Sequence, residues 1–203
     1  MENTAAIIKK ATSDNSEVAA ELSIAALGSS VSELFGTTSK EKALGYLSQL
    51  WTRKRNRFSY EYSHMAMIEG KPVGLMTCFP GEMTDKTLMP TVWQLIKIGR
   101  LPFLKHLMSQ LRLLRHFSSQ VEAYPDEFYV GTLAVLSEYR GFSIGTQFLG
   151  FACELAQNLG FEKCSLIVDV DNEGGIRFYK RHGFVVAEHI TKPVAFYRMV
   201  KRL

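Results

Sequence analysis

The stretch from Phe128 to Ile190 constrains the fold more than any other part of this chain. FYVGTLAV reads as a buried strand, and a short polar turn holding Arg140, Gly141, Ser143 and Gly145 follows it. The apolar spacing then predicts a helix over 142–159, a strand from Lys163 to Asp169 and a helix over 173–182. Two further strands are expected near 184–190 and 194–201. Upstream, Ala5 to Lys9 reads as a first strand, and SYEYSHMAMIEGKPVGLMTCF alternates as a strand, turns at Glu69-Gly70-Lys71 and continues as its hairpin partner. Two helices lie between. Asp14 and Glu17 have capping-box spacing before Val18, Leu22, Ala25 and Leu27, with Gly28 as a stop. Thr38 and Glu41 repeat that spacing before Leu44, Leu47 and Trp51, which predicts a helix over 39–54. Hairpins at both ends with strand–helix alternation between them imply an α/β (α+β mixed) class, a mixed sheet with helices on its faces.

At 203 residues and 46% hydrophobic content the chain has material for one domain over 1–203 with a sizeable core. No repeat, low-complexity tract or linker divides it. Cys78, Cys153 and Cys164 are odd in number, sit among apolar residues and lack metal-ligand spacing, so reduced core thiols are expected and no metal. MENTAAIIKK lacks a basic n-region followed by a long apolar run, and no later segment offers about 18 uncharged apolar residues. A cytoplasmic protein without stable membrane association is the expectation.

Charge is unevenly placed. The whole chain carries +4, yet residues 86–120 hold Lys86, Lys97, Arg100, Lys105, Arg112 and Arg115 with no acid, so the remainder is slightly acidic. That is a locally specialised surface, not a general polyanion binder, and no nucleic-acid motif accompanies it. Between Pro80 and Pro125 the pattern is helical, with Pro90 and Pro102 expected to start successive segments, TVWQLIKIG and FLKHLMSQLRLLRHF. Leu104, Leu107, Met108, Leu111 and Leu114 fall on one face. A helix pair packed on the core accounts for them, and a lid, a homodimer contact or an acceptor-selecting element are alternatives. The Pro and Gly interruptions count against one continuous interfacial helix.

A strand that feeds a glycine turn into a helix leaves backbone N–H groups unpaired at the positive end of the helix dipole, which is where anions bind. Gly141 and Gly145 let the backbone approach a phosphate and Arg140 adds charge, although the same glycines also serve a tight turn and close helix packing. A Gly-Lys-Ser/Thr ending is missing, and Gly141-x-x-x-Gly145 is not the dinucleotide fingerprint G-x-G-x-x-G. The second half of the pattern is SLIVDVDNEGGIRFYKRHGF, where Asn172 follows a strand and Tyr179 sits on the helix that closes at Gly183-Phe184. Together LAVLSEYRGFSIG and DNEGGIRFYKRHGF resemble the GNAT superfamily of acyl-CoA-dependent N-acyltransferases, closely over roughly 126–190.

The resemblance implies a central mixed, mostly antiparallel sheet of about seven strands with helices on both faces. Residues 82–120 become a helical insertion between strands 3 and 4. It implies acetyl-CoA as cosubstrate, with Leu133, Ala134 and Val135 offering main-chain groups to the pantetheine arm. The turn from Arg140 through Gly141, Phe142, Ser143, Ile144 and Gly145 to Thr146 would take the pyrophosphate. Ser143 stands where the family pattern has its middle glycine; with helical dihedrals serine costs little and its hydroxyl can donate to a phosphate oxygen, with positive φ it obstructs, and tolerance is expected because Gly141 and Gly145 still frame the turn. Asn172 would cap its helix and bond the cofactor. Tyr179, with an unperturbed phenol pKa of about 10, would protonate the leaving thiolate. For the base, Tyr129 is read as sharing a strand face with Leu133, and Glu127, Glu61, His64 and Asp169 are alternatives; His182 and His189 read as helix-end or surface residues. The implied activity is acetyl transfer to a primary amine of a small molecule or peptide, the alternative being an acyl-CoA-binding sensor or an inactive protein of the same fold.

Overall fold

The computed structural model describes residues 6–28, 30–109, 121–191 and 195–203; Leu111, Arg112, Leu114 and Arg115 lie outside them. Its strands are β1 (Ile7–Lys10), β2 (Ser63–Ile68), β3 (Lys71–Pro80), β4 (Phe128–Val135), β5 (Lys163–Asp169), β6 (Val185–Ile190) and β7 (Phe196–Arg202). The helices are α1 (Ser16–Leu27), α2 (Ser30–Phe35), α3 (Lys40–Trp51), α4 (Met83–Ser109), α5 (Ile144–Asn158) and α6 (Glu173–Arg181).

These strands form one sheet in the order β1-β2-β3-β4-β5-β7-β6. Every neighbouring pair is antiparallel except β4 and β5, which run parallel because α5 crosses over between them. On one face Phe148, Leu149, Ala152 and Ala156 of α5 bury against Met76, Val130, Leu166 and Met199. On the other, Ala19 and Leu22 of α1 and Trp51 of α3 bury against Met65, Leu75 and Ala134. Each large apolar side chain so buried contributes roughly 1.5–3 kcal/mol, so two filled faces hold the sheet firmly.

The helix starts differ in detail from the sequence reading. Asn15, not Asp14, closes the turn into α1: its Oδ1 accepts from the Thr12 N–H at 3.0 Å and from the Thr12 hydroxyl at 3.2 Å. At α3 the cap is Ser39, one residue past Thr38, with its Oγ accepting from the Lys42 N–H at 3.3 Å.

The insertion is a helix packed on helices, with Leu95 and Phe103 joining Ala20, Phe35, Leu47 and Leu50. Pro90 does not start a segment; it is absorbed within α4. On the buried side of this stretch the Thr87 and Thr91 hydroxyls donate to the Met83 and Thr87 carbonyls, each at 2.6 Å, which keeps polar groups satisfied around the proline. The break comes at Arg100, at φ 50° and ψ −140°, with Pro102 opening the second segment as expected. Leu107 packs inward, but Leu104 and Met108 are exposed, so the face predicted for the core is divided. No helix among the described residues is long and apolar enough to cross a membrane.

One irregularity of the sheet bears on the site. The β3–β4 register passes from Thr77 opposite Thr132 to Cys78 opposite Val130, which leaves Gly131 as an extra residue in β4. Side chains change face across it. Phe128 and Val130 before the bulge and Leu133 and Val135 after it all pack on the α5 side, whereas Tyr129 packs on the opposite side with Phe79. The expectation that Tyr129 shares a face with Leu133 is thereby corrected.

Candidate active site

Strands β4 and β5 pair only through Phe128–Cys164, Tyr129–Ser165 and Val130–Leu166. β4 continues to Val135 along β3, so from Gly131 onward its β5-facing edge is open. An extended ligand can add there as a strand does, through main-chain hydrogen bonds. Leu133, Ala134 and Val135 lie on that open stretch.

The turn that follows delivers α5. Gly141 has φ 89°, and Ser143 is the N-cap residue in the left-handed region, at φ 59° and ψ 15°, with no side-chain cap. Of the two conditions weighed for Ser143, the positive φ is the one present: holding an L-residue there costs roughly 1–2 kcal/mol, which explains why a glycine suits the position. The first helical bond runs from the Gln147 N–H to the Ser143 carbonyl at 3.0 Å. The N–H groups of Ile144, Gly145 and Thr146 thus precede the helical ladder at the positive end of the dipole, beside Arg140 and the exposed Phe142. Gly145 has a second function: a Cβ on it would stand 3.0 Å from Cζ of Phe178 on α6. Thr146 Oγ1 lies 3.0 Å from His182 Nε2, and His182 Nδ1 lies 2.8 Å from the Phe178 carbonyl. Since that carbonyl only accepts, Nδ1 donates to it, which leaves Nε2 to pair with the Thr146 hydroxyl. His182 is a strut between two helices.

At α6, Asn172 caps as expected, its Oδ1 accepting from the Gly175 N–H at 2.9 Å. Tyr179 sits edge-on to Phe178 and Phe184, with ring centroids 5.3 and 6.1 Å away. Burial pushes its phenol up to about 12. Tyr129 is wholly buried, and its hydroxyl donates to Glu122 Oε2 at 3.1 Å. Arg57 Nη1 holds the other Glu122 oxygen at 2.7 Å, and Arg57 Nη2 donates to the Thr84 carbonyl at 2.9 Å. Burial first, then the Glu122 charge, raises the Tyr129 phenol well above its ordinary value, and Tyr179 is near enough to add to the rise. Tyr129 is thus held protonated, and alone it is a poor base.

The remaining base candidates are engaged elsewhere. Both Glu127 oxygens accept from Arg198 Nη1, at 2.7 and 2.8 Å, and Arg198 also grips Glu188 at 2.8 Å beneath the Tyr124 ring. Glu61 accepts from the Arg55 N–H at 2.8 Å, and Asp169 from the Asp171 N–H at 2.9 Å. His64 is buried against the Phe151 ring and pushed down to about 4, by burial first and then by Lys10. His189 lies tilted against the Tyr197 ring, with centroids 4.8 Å apart. Cys78 and Cys164 are buried free thiols and Cys153 is half-buried. Among the described residues no group of His, Cys, Asp or Glu could hold a metal ion.

Glu122 and Arg57 were not singled out from the sequence. Sixty-five positions separate them and no motif links them. The available signal was Glu122 standing as the first acid after the long basic stretch.

The chain matches the model of the Acetyltransferase (GNAT) family over residues 31–184. It is similar to N-alpha-acetyltransferase 30 of Schizosaccharomyces pombe, 38% identical over 56 residues that make up 28% of this chain and 37% of that protein. Such curated relatives align with it over 28% to 37% of their own length. An N-acetyltransferase structure from Staphylococcus aureus Mu50 superposes with a TM-score of 0.73 at 21% identity, covering 96% of this chain and 99% of that one. PaiA N-acetyltransferase from Thermoplasma acidophilum, in complex with coenzyme A, superposes with a TM-score of 0.55 at 16% identity, covering 98% and 99%. Both share the fold.

Proposed function

Because the chain belongs to the Acetyltransferase (GNAT) family, we propose that residues 1–203 act as one domain that transfers an acetyl group from acetyl-CoA to a primary amine of a small molecule or peptide. The observation that carries this reading is the parting of β4 from β5 after Val130, directly ahead of the uncapped start of α5. One open edge for an extended arm and one anion site at its end match the two parts of coenzyme A.

In this reading Leu133, Ala134 and Val135 bind the pantetheine arm through their main chain, and a β4 N–H holds the negative charge that develops on the thioester oxygen. The N–H groups of Ile144, Gly145 and Thr146, with Arg140, hold the pyrophosphate; Gly141, Phe142 and Ser143 shape that turn. Tyr179 gives its proton to the departing thiolate. A phenol lifted to about 12 is fully protonated at neutral pH, as an acid must be. Tyr129 accepts the amine proton as its own proton passes to Glu122 Oε2, and Arg57 offsets the Glu122 charge before the transfer. Since relatives are named N-alpha-acetyltransferases, the α-amine of a peptide N-terminus is the first acceptor to try.

Titration with acetyl-CoA while following thermal unfolding tests the reading. A ligand at 100 times its Kd adds about 2.7 kcal/mol, and thiol release with a panel of peptides and small amines then reports transfer. No thermal shift overturns the proposal. A shift without thiol release from any amine supports the sensor instead.

A further inference from the structure

The outer face of α4 plays no part in the site described above, and it is unusual. Met89 and Trp93 before the break at Arg100, and Leu101 and Met108 after it, are each more than half exposed, and Leu104 is exposed as well. Lys86, Lys97, Arg100 and Lys105 are exposed on the same helix. Lys97 Nζ lies 6.0 Å over the Trp93 ring, so apolar and basic groups interleave on one surface. The acids of this face, Glu82 and Asp85, stand at its N-terminal end, where Glu82 pairs with Lys86 at 2.8 Å. The interruption expected at Pro90 does not arise, since the helix runs through it, and the break comes instead at Arg100, so the exposed apolar side chains lie on two successive segments.

We infer that this face docks on an anionic lipid surface, with Met89, Trp93, Leu101 and Met108 entering the headgroup boundary and the Lys and Arg side chains meeting anionic headgroups. Charge complementarity selects this occupant. A second copy would bring the cations Lys86, Lys97, Arg100 and Lys105 against a surface whose acids, Glu82 and Asp85, stand only at one end. A nucleic-acid backbone would meet the cations but leave four large apolar side chains with no apolar medium. The expectation of no stable membrane association, drawn from the sequence, is what this inference revises.

The protein carries its own reporter. Trp51 is buried and donates to the Thr12 carbonyl at 2.9 Å, so a change in tryptophan emission on adding vesicles belongs to Trp93, which is 63% exposed. Vesicles of phosphatidylcholine mixed with phosphatidylserine should shift that emission to the blue and carry the full chain upward in flotation. Phosphatidylcholine alone should bind at least about tenfold more weakly, and added salt should close the gap. The double variant Lys86→Glu/Lys97→Glu and the variant Met89→Ser/Leu101→Ser should each lose about tenfold or more of the partition while unfolding at the wild-type temperature. Absence of partition overturns the inference, as does partition that either variant leaves intact. A doubled mass in light scattering without vesicles, abolished by Leu101→Ser, would assign the face to a second copy and likewise overturn it.

Discussion

Two helices leave the ends of the two parallel strands, and their first turns are built in opposite ways. At α6 the Asn172 side chain closes the turn on the Gly175 N–H at 2.9 Å. At α5 the corresponding residue is Ser143, held at φ 59° without a side-chain cap, so the first N–H groups face outward. In the proposed reading, α5 does the binding and α6 presents Tyr179 two turns further along. The two are braced together by Phe178 against Gly145 and by His182 against Thr146.

The largest effect expected from this contrast is on chemistry at α6. Tyr179→Phe keeps the ring packing on Phe178 and Phe184 and removes only the proton donor, so kcat should fall about 10²–10⁴-fold. The thermal shift produced by acetyl-CoA should persist, because the α5 turn is untouched. The pH profile sharpens the test. Burial raises the phenol to about 12, so the acid stays loaded as pH rises through about 10, where an unperturbed tyrosine would be half ionised. A fall in wild-type kcat centred below that point, and abolished in Tyr179→Phe, would take the assigned value from this residue. Loss of acetyl-CoA binding in the variant would erase the division of labour.

Local features made much of this arrangement legible in the sequence. Strand lengths, the Glu69-Gly70-Lys71 hairpin, the turn ahead of α5 and the Asn172 cap depend on neighbours within a few positions, which side-chain periodicity and glycine placement report directly. What stayed hidden depends on distance or on backbone detail. The Gly131 bulge turns Tyr129 away from the Leu133 face, and nothing in period-two alternation announces one extra residue. The partners of Tyr129 and Glu127 come from elements far apart in sequence: Arg57, through Glu122, and Arg198. Proline favours a helix start, yet at Pro90 the helix runs on, with Leu95 and Phe103 of α4 packed among α3 side chains.

A smaller effect belongs to the closed helix start. Asn172→Ala should lower stability by about 1 kcal/mol, the usual cost of a lost cap, measurable by denaturant unfolding. Affinity for acetyl-CoA should change little, since the Asn172 Oδ1 is occupied by its own helix. Asn172→Asp, which preserves the cap, separates the roles: if it restores stability but both variants bind acetyl-CoA more than about tenfold worse, a loss of about 1.4 kcal/mol, then α6 also binds ligand through its first turn and the contrast fails.

The smallest and most discriminating effect is at Ser143. Glycine relieves roughly 1–2 kcal/mol of left-handed strain and gives back about 0.5–1 kcal/mol in backbone entropy, so Ser143→Gly should gain between about 0 and 1.5 kcal/mol of stability. That strain is present before any ligand arrives, and a cost shared by free and bound states cannot alter affinity. A change in acetyl-CoA affinity in Ser143→Gly therefore reports the side chain alone. Tightening means the serine Cβ or hydroxyl obstructs the phosphate, whereas weakening means the hydroxyl donates to it. Ser143→Ala decides between the Cβ and the hydroxyl, because it keeps the strain and the Cβ and removes only the oxygen. If Ala binds like wild type while Gly binds severalfold tighter, the obstruction is the Cβ. If Ala and Gly weaken binding equally, the turn has replaced the family's middle glycine with a ligand.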